Sequence, residues 1–412
     1  MAEGEAQDQG VPPLRANRDF RLLWFGSVVS VLGSRASAIA YPLLVLALTG
    51  SPADAGLAGF AATIPYLLCQ LPAGALVDRW NRKVIMIACD AGRALALASI
   101  VLALALDSIS LAQIIAVSFI EGSLYVFHSL AEPASVRNIV HPTHLPLALS
   151  QIEARERGAA LLGQPLGGFL FDLGRAMPFL ADALSYLASL TALLLIKSKF
   201  QGERPPARSA FVAEVAQALV WLWRQPFLRA TALLIAGSNL LFQALNLLVI
   251  VIAREQGASS TTIGLLLAGF GVGGVLGSLA APWFQRRLSM KAIVIGANWV
   301  WALALPGIGL ADNLFVLGGL LALMAFVGPL WNVALDVYRL LITPDELQGK
   351  VGSVISLLAW GAIPLGSLLA GYLLDSFGSL TTAMVLSVGM VLVAIVASIS
   401  PAIRRAPGRV ET

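Results

Sequence analysis

Glu121, Tyr125, His128 and Glu132 fall at i, i+4, i+7 and i+11, a spacing that lines all four along one face of a helix. Carboxylate and imidazole are groups that take up and release protons. Three further polar stripes share this helical period: Asn239, Gln243 and Asn246; Asn332, Asp336 and Arg339 with Trp331 beside them; and Ser27, Ser30, Ser34 and Tyr41 with Arg35 next to the stripe. Little else points to reaction chemistry. "HPTH" holds His141 and His144 without a partnering carboxylate, the ordinary pattern of loop histidines, so neither a metal site nor an enzyme is expected. Gly271, Gly273, Gly274 and Gly277 do not follow a strand, which rules out a nucleotide loop and makes them packing glycines. No cofactor and no nucleic-acid partner are expected.

The elements that must carry these stripes are apolar helices. Of the 412 residues, 12% are charged and 58% are hydrophobic, where a soluble protein carries about 25% charge. Mean hydropathy is +0.82. Runs such as "AMVLSVGMVLVAIVASI" (383–399) are long enough for a helix to cross a bilayer, so the chain reads as an all-α integral membrane protein with the bilayer as its solvent. Polar breaks delimit twelve spans near 20–48, 55–78, 84–106, 111–137, 147–172, 177–197, 227–253, 261–284, 290–311, 314–341, 348–374 and 380–402. Residues 1–19 lack an apolar signal-peptide region and read as a disordered cytoplasmic tail, with a second tail at 403–412. Between a six-helix bundle at 20–197 and another at 227–402 lies a linker, 198–226. Its Glu214, Gln217, Trp221 and Arg224 suit a short helix lying on the membrane surface. Cys69 and Cys89 sit in apolar segments as small buried hydrophobes.

Basic residues test the count, because cytoplasmic loops hold most of them. With both termini inside, 21 of the 27 Lys and Arg residues are cytoplasmic. Arg175 and Arg254 fall outside, and Arg35, Arg93, Arg155 and Arg157 lie within spans. A miscounted helix would scramble that alternation.

The halves also repeat. "SVRNIVHPTHL" (135–145) matches "VYRLLITPDEL" (337–347), and "QPLGGFLFDLG" (164–174) matches "IPLGSLLAGYLLDSFG" (363–378), with Pro165 on Pro364. "GALVDRWNRK" (74–83) has a worn copy in "GSLAAPWFQRR" (277–287). Twelve spans, a six-plus-six repeat and the charged loop Gly74, Asp78, Arg79, Arg82, Lys83 between spans 2 and 3 resemble the major facilitator superfamily over residues 15 to 405. The texture of "DAGR" (90–93) and "ADALSY" (181–186) is similar to its drug and natural-product exporters, the group with macrolide and siderophore efflux proteins.

That resemblance implies two six-helix pseudo-repeats working by alternating access, with spans 1, 4, 7 and 10 lining a central cavity. It implies a monomeric secondary transporter in the plasma (inner) membrane, a proton-coupled antiporter exporting a bulky amphipathic drug, natural product or siderophore. A nutrient or metabolite importer, running as a proton symporter on the same fold, is the alternative. Asp78 is expected to act in gating near the start of span 11, with Gly74, Arg79, Arg82 and Lys83, and with Asp90 and Arg93 extending the network. The expected cavity residues are Tyr41, Tyr125, His128, Asn239, Phe242, Gln243, Asn246, Trp331 and Asn332. "GQPLGG" (163–168) departs from the exporters' Gly-Pro-x-x-Gly-Gly by a proline one position late.

Depth suggests the coupling pair. Arg35 and Glu121 each lie about 22–24 Å from the cytoplasmic face at 1.5 Å per residue, and opposite charges buried at one depth are expected to pair. Glu121 is therefore assigned the coupling proton, with Arg35 as its counter-charge. Many proton-coupled members carry an Arg in span 4, so Arg35 is read as supplying that charge from span 1. Glu132 and Asp336, nearer the cytoplasmic ends, are the other candidates. Glu153 and Arg157, four apart, should bridge within span 5.

Overall fold

A computed structural model describes residues 13–201 and 211–405. The expected tails lie largely outside these residues, as does the first part of the linker. The described chain is helical throughout, because in lipid every backbone polar group must find its partner within the span. The helices are α1 (Arg18–Thr49), α2 (Pro52–Arg79), α3 (Arg82–Ala105), α4 (Leu111–Ile139), α5 (Leu145–Leu173), α6 (Met177–Leu195) and α7 (Phe211–Arg224). They continue with α8 (Pro226–Glu255), α9 (Ser260–Arg287), α10 (Met290–Gly309), α11 (Leu314–Ile342), α12 (Asp345–Gly361), α13 (Ile363–Ile399) and the short α14 (Pro401–Arg404). Serine and asparagine side chains cap several of the tight connections: Asn81 opens α3, Ser110 α4, Ser259 α9, Ser289 α10 and Asn313 α11.

Among the described residues, ten helices are long and apolar enough to cross a membrane. One of the ten, Lys350–Ile399, is 50 residues long, more than twice the roughly 20 that one crossing needs. α5 supplies another: its charged first half, with Glu153, Arg155, Glu156 and Arg157, dilutes an otherwise apolar 29-residue helix. The twelve spans are all present, with two changes of boundary. Span 11 breaks at Ala362, between α12 and α13, because Pro364 cannot donate a hydrogen bond back to Trp360. Spans 11 and 12 meet without a loop at Gly378, whose φ of 76° only glycine adopts without strain.

The chain divides into two compact units: one holds the residues up to Ala40 and 68–207, the other Tyr41–Leu67 and everything from 208 on, α7 included. In the first unit α3 packs on α4 and α6; in the second, α10 packs on α11 and α13. The same pairing at the same positions in each half is the repeat written in packing. Glycines set the tightest crossings. A Cβ on Gly167 of α5 would run into the Ala36 carbonyl of α1, and a Cβ on Gly366 of α13 into the Leu240 carbonyl of α8. Each of these glycines stands two residues after the repeated proline, so sequence repeat and packing repeat coincide. Gly273 and Gly277 bring α9 equally close to the Ala322 and Phe326 carbonyls of α11.

The C-terminal end of α1 and the N-terminal half of α2 pack within the second unit. Arg254 donates to the Leu43 carbonyl at 3.2 Å, Gly56 lies against Ser367 and Gly371, and Tyr66 stacks on Trp360 at 5.6 Å. α7 packs on α8 and α12, with Ala218 and Leu222 buried and Val220 and Trp223 exposed.

Candidate functional site

Inside the first unit, α4 lays its stripe against α3, α5 and α6, and each charged position finds a partner there. Glu121 pairs with Arg93 of α3 through two contacts, Nε to Oε1 at 3.2 Å and Nη2 to Oε2 at 3.4 Å. Both residues are buried, 8% and 4% exposed. Arg93 also donates to Ser34 Oγ of α1 at 3.3 Å, and its guanidinium lies 4.1 Å from the centre of the Tyr186 ring of α6 and 5.6 Å from that of Tyr125. The Tyr186 hydroxyl closes the set, 2.8 Å from Ser34 Oγ and donating to Glu121 Oε2 at 3.4 Å. Buried charges persist only when paired and hydrogen-bonded, and this constellation meets both conditions.

A second carboxylate completes the cluster. Asp182 of α6 is wholly buried and accepts from Ser37 at 2.5 Å and Ser185 at 3.1 Å. Gly33 makes this approach of α1 to α6 possible, since a Cβ there would stand 2.6 Å from Asp182 Oδ1. Asp182 lies within electrostatic reach of both Arg93 and Glu121.

One step toward the C-terminus of α4, His128 Nε2 lies 3.4 Å from Asp90 Oδ1 on α3. The approach is off the hydrogen-bond direction, and neither Asp90 oxygen accepts a hydrogen bond in this structure. A turn further, Glu132 is clamped by Arg155 of α5 at 2.5 and 3.2 Å. Arg155 also contacts Glu156 at 3.0 Å, and Glu156 in turn meets Arg35 at 3.6 Å.

Three expectations are thereby corrected. Glu121 pairs with Arg93 and not with Arg35, whose side chain is 44% exposed beside Glu156. Depth along a helix sets height but not azimuth. Ser34 and Ser37 face α6, which turns Arg35, the next residue round, toward Gly163 of α5. Second, Asp90 and Arg93 point to α4 and take no part in the charged loop, where Arg82 instead contacts Asp78 at 3.5 Å. Third, Asp336 is an exposed group bridged to Arg339 on its own helix at 3.2 Å. The Glu153–Arg157 bridge forms as expected, at 2.9 Å.

The loop itself is a structural knot. Arg82, 1% exposed, donates to the Ala134 carbonyl of α4 at 2.7 Å, and Lys83 to the Ile196 carbonyl at 2.7 Å. Arg79 closes α2, and Gly74 has open space where a Cβ would stand.

The expected cavity residues divide. Asn239 donates to the Ala359 carbonyl and Gln243 to Ser367 Oγ, both at 3.0 Å, so these amides tie α8 to α12 and α13. Trp331 is 1% exposed, stacked on Trp301 at 5.2 Å, which meets Phe242 edge-on at 5.0 Å. These rings are core packing rather than a lining. His128 belongs to the buried ladder; Tyr41 and Tyr125 are half-buried; Asn246 and Asn332 are exposed. His141 contacts Thr143 at 3.0 Å on the surface.

Asp182, Tyr186 and Ser37 were not singled out by periodicity. Asp182 carried a usable signal, an ionisable residue in the middle of an apolar span.

Comparison with known proteins agrees with the fold. The family described as "Transmembrane secretion effector" matches residues 9–407, and the chain belongs to it, a family of major facilitator transporters. It is 28% identical to the multidrug efflux pump Tap of Mycolicibacterium fortuitum, over 93% of this chain and 96% of that one. It is 22% identical to the staphyloferrin A transporter of Staphylococcus aureus, over 83% and 86%. Among solved structures, the nucleoside transporter NupG superposes with a TM-score of 0.75 at 12% identity, covering 94% of this chain and 100% of that one. A bacterial homologue of the iron transporter ferroportin gives 0.72 at 16%, covering 94% and 99%. The protein is a multi-pass membrane transporter and not an enzyme.

Proposed function

We propose that this transporter exports bulky amphipathic small molecules in exchange for protons, by alternating access, from the plasma membrane with both termini in the cytoplasm. Similarity to multidrug efflux pumps along nearly the whole chain supports export and the substrate class. The observation that carries proton coupling is the buried trio of Arg93, Glu121 and Asp182. One guanidinium facing two carboxylates in an apolar interior carries a net negative charge when all are ionised, and a single proton makes it neutral. Glu121 is the acid assigned that proton, because it alone of the two contacts Arg93 directly, so only its protonation acts on a contact between helices. Protonation weakens the Arg93–Glu121 attraction that ties α3 to α4, and deprotonation restores it. Binding a proton thus changes how strongly two helices hold together, which is what coupling requires.

The test uses inverted membrane vesicles energised to an acidic interior, with a panel of amphipathic drugs added while the pH gradient is recorded. Drug-dependent loss of the gradient in wild type and its absence in Glu121→Gln is the expected result. Equal loss in both removes Glu121 from the coupling role. Drug accumulation in intact cells expressing the protein, in place of reduced accumulation, replaces export by import.

A further inference from the structure

Asp90 and His128 remain unexplained by that mechanism. Asp90 is wholly buried and His128 is 8% exposed, yet neither Asp90 oxygen nor His128 Nε2 has a hydrogen bond. A buried carboxylate without a donor is expensive to hold, and native proteins keep such groups where function needs them. Its position is equally specific. His128 follows Glu121 by seven residues on the same helix face, about 10 Å along the axis, and precedes Glu132 by four, about 6 Å. Glu132 cannot serve as the next stop, since Arg155 clamps both of its carboxylate oxygens.

We propose that Asp90 and His128 together form a relay station that holds a proton on its route between Glu121 and the cytoplasmic face. This rests on the reading of Glu121 as the coupling acid. The titratable groups within electrostatic reach of the pair are Glu121 and Glu132 on α4 and Cys89 on α3. In the transfer the O–H bond of Glu121 breaks and an N–H bond forms at Nε2 of the imidazole, or an O–H bond at Asp90, with side-chain rotation or a water molecule spanning the gap. The pair passes from net negative to neutral, and on release to water beyond Glu132 it returns to net negative. No oxidant or co-reactant is involved. An aspartate and a histidine facing each other suit this task because the proton can rest on either without a net charge being created.

The chain has three histidines, so a His141→Gln/His144→Gln background leaves His128 alone to be observed. Nitrogen-15 NMR of its imidazole, in full-length protein in lipid nanodiscs, reads its protonation directly and needs no substrate. The expected result is an imidazole protonation state, read across pH, that changes in Asp90→Asn and changes less in Glu121→Gln. A His128 signal that titrates identically in all three proteins overturns the proposal. A second measurement uses ethidium as the probe in proteoliposomes. Asp90→Asn and His128→Gln are expected to slow ethidium-driven proton flux about tenfold, while ethidium exchange without a pH gradient stays within about twofold, which also certifies folding. Wild-type proton flux in both variants overturns the relay. Wild-type protein that exchanges ethidium but moves no protons overturns the antiport reading, a result separable from the NMR outcome.

Discussion

Arg93 is the residue on which the buried site depends. It is the cation that touches Glu121, and removing it leaves two carboxylates in an apolar interior. Breaking a buried pair by deleting one partner typically costs about 3–5 kcal/mol, whereas replacing both partners by apolar groups is often tolerated. Arg93→Ala is therefore expected to lower the melting temperature in detergent more than an Arg93→Met/Glu121→Met double variant does. The opposite order in a thermal-shift series argues against an ionised pair. Arg93→Lys keeps the charge but loses the two-point geometry, and intermediate stability is expected.

At the scale of the element, the helices approach one another through glycines at particular positions. Gly167 and Gly366 each face a backbone carbonyl of the neighbouring helix, an atom that cannot rotate away as a side-chain tip can. Gly269 and Gly274 of α9 have open space where a Cβ would stand. Alanine at Gly167 or Gly366 is expected to destabilise the protein, since overpacking costs about 1–3 kcal/mol. Alanine at Gly269 or Gly274 should leave the melting temperature unchanged or raise it slightly, because alanine favours a helix by up to about 1 kcal/mol over glycine. Melting curves of the four variants check this, and equal effects at all four would falsify the close-approach argument. The glycines themselves are plain in the sequence. Which of them are contact points is not, because glycine at a crossing and glycine facing lipid look alike until the neighbour is known.

For the whole molecule, the distribution of Lys and Arg predicts orientation. Fluorescent-protein reporters that mature only in the cytoplasm, fused at either end, are expected to fluoresce in both positions. A dark fusion at one end would mean an odd number of crossings, and with it a different account of α12 and α13. The twelve spans and the repeat were legible because hydropathy and basic-loop bias run along the chain in one dimension, the same dimension in which a bilayer sorts it. Glu121, His128 and Glu132 were legible as one face because the helical period is fixed by the backbone. What faces them was decided by tertiary structure alone. Arg35 and Arg93 are both buried-span arginines by sequence, and only the rotation of α1, set by Gly33 against Asp182 and Gly163 against Arg35, turns one away and leaves the other at Glu121. Rotation about a helix axis and choice of neighbour come from packing in three dimensions, which no count along one span contains.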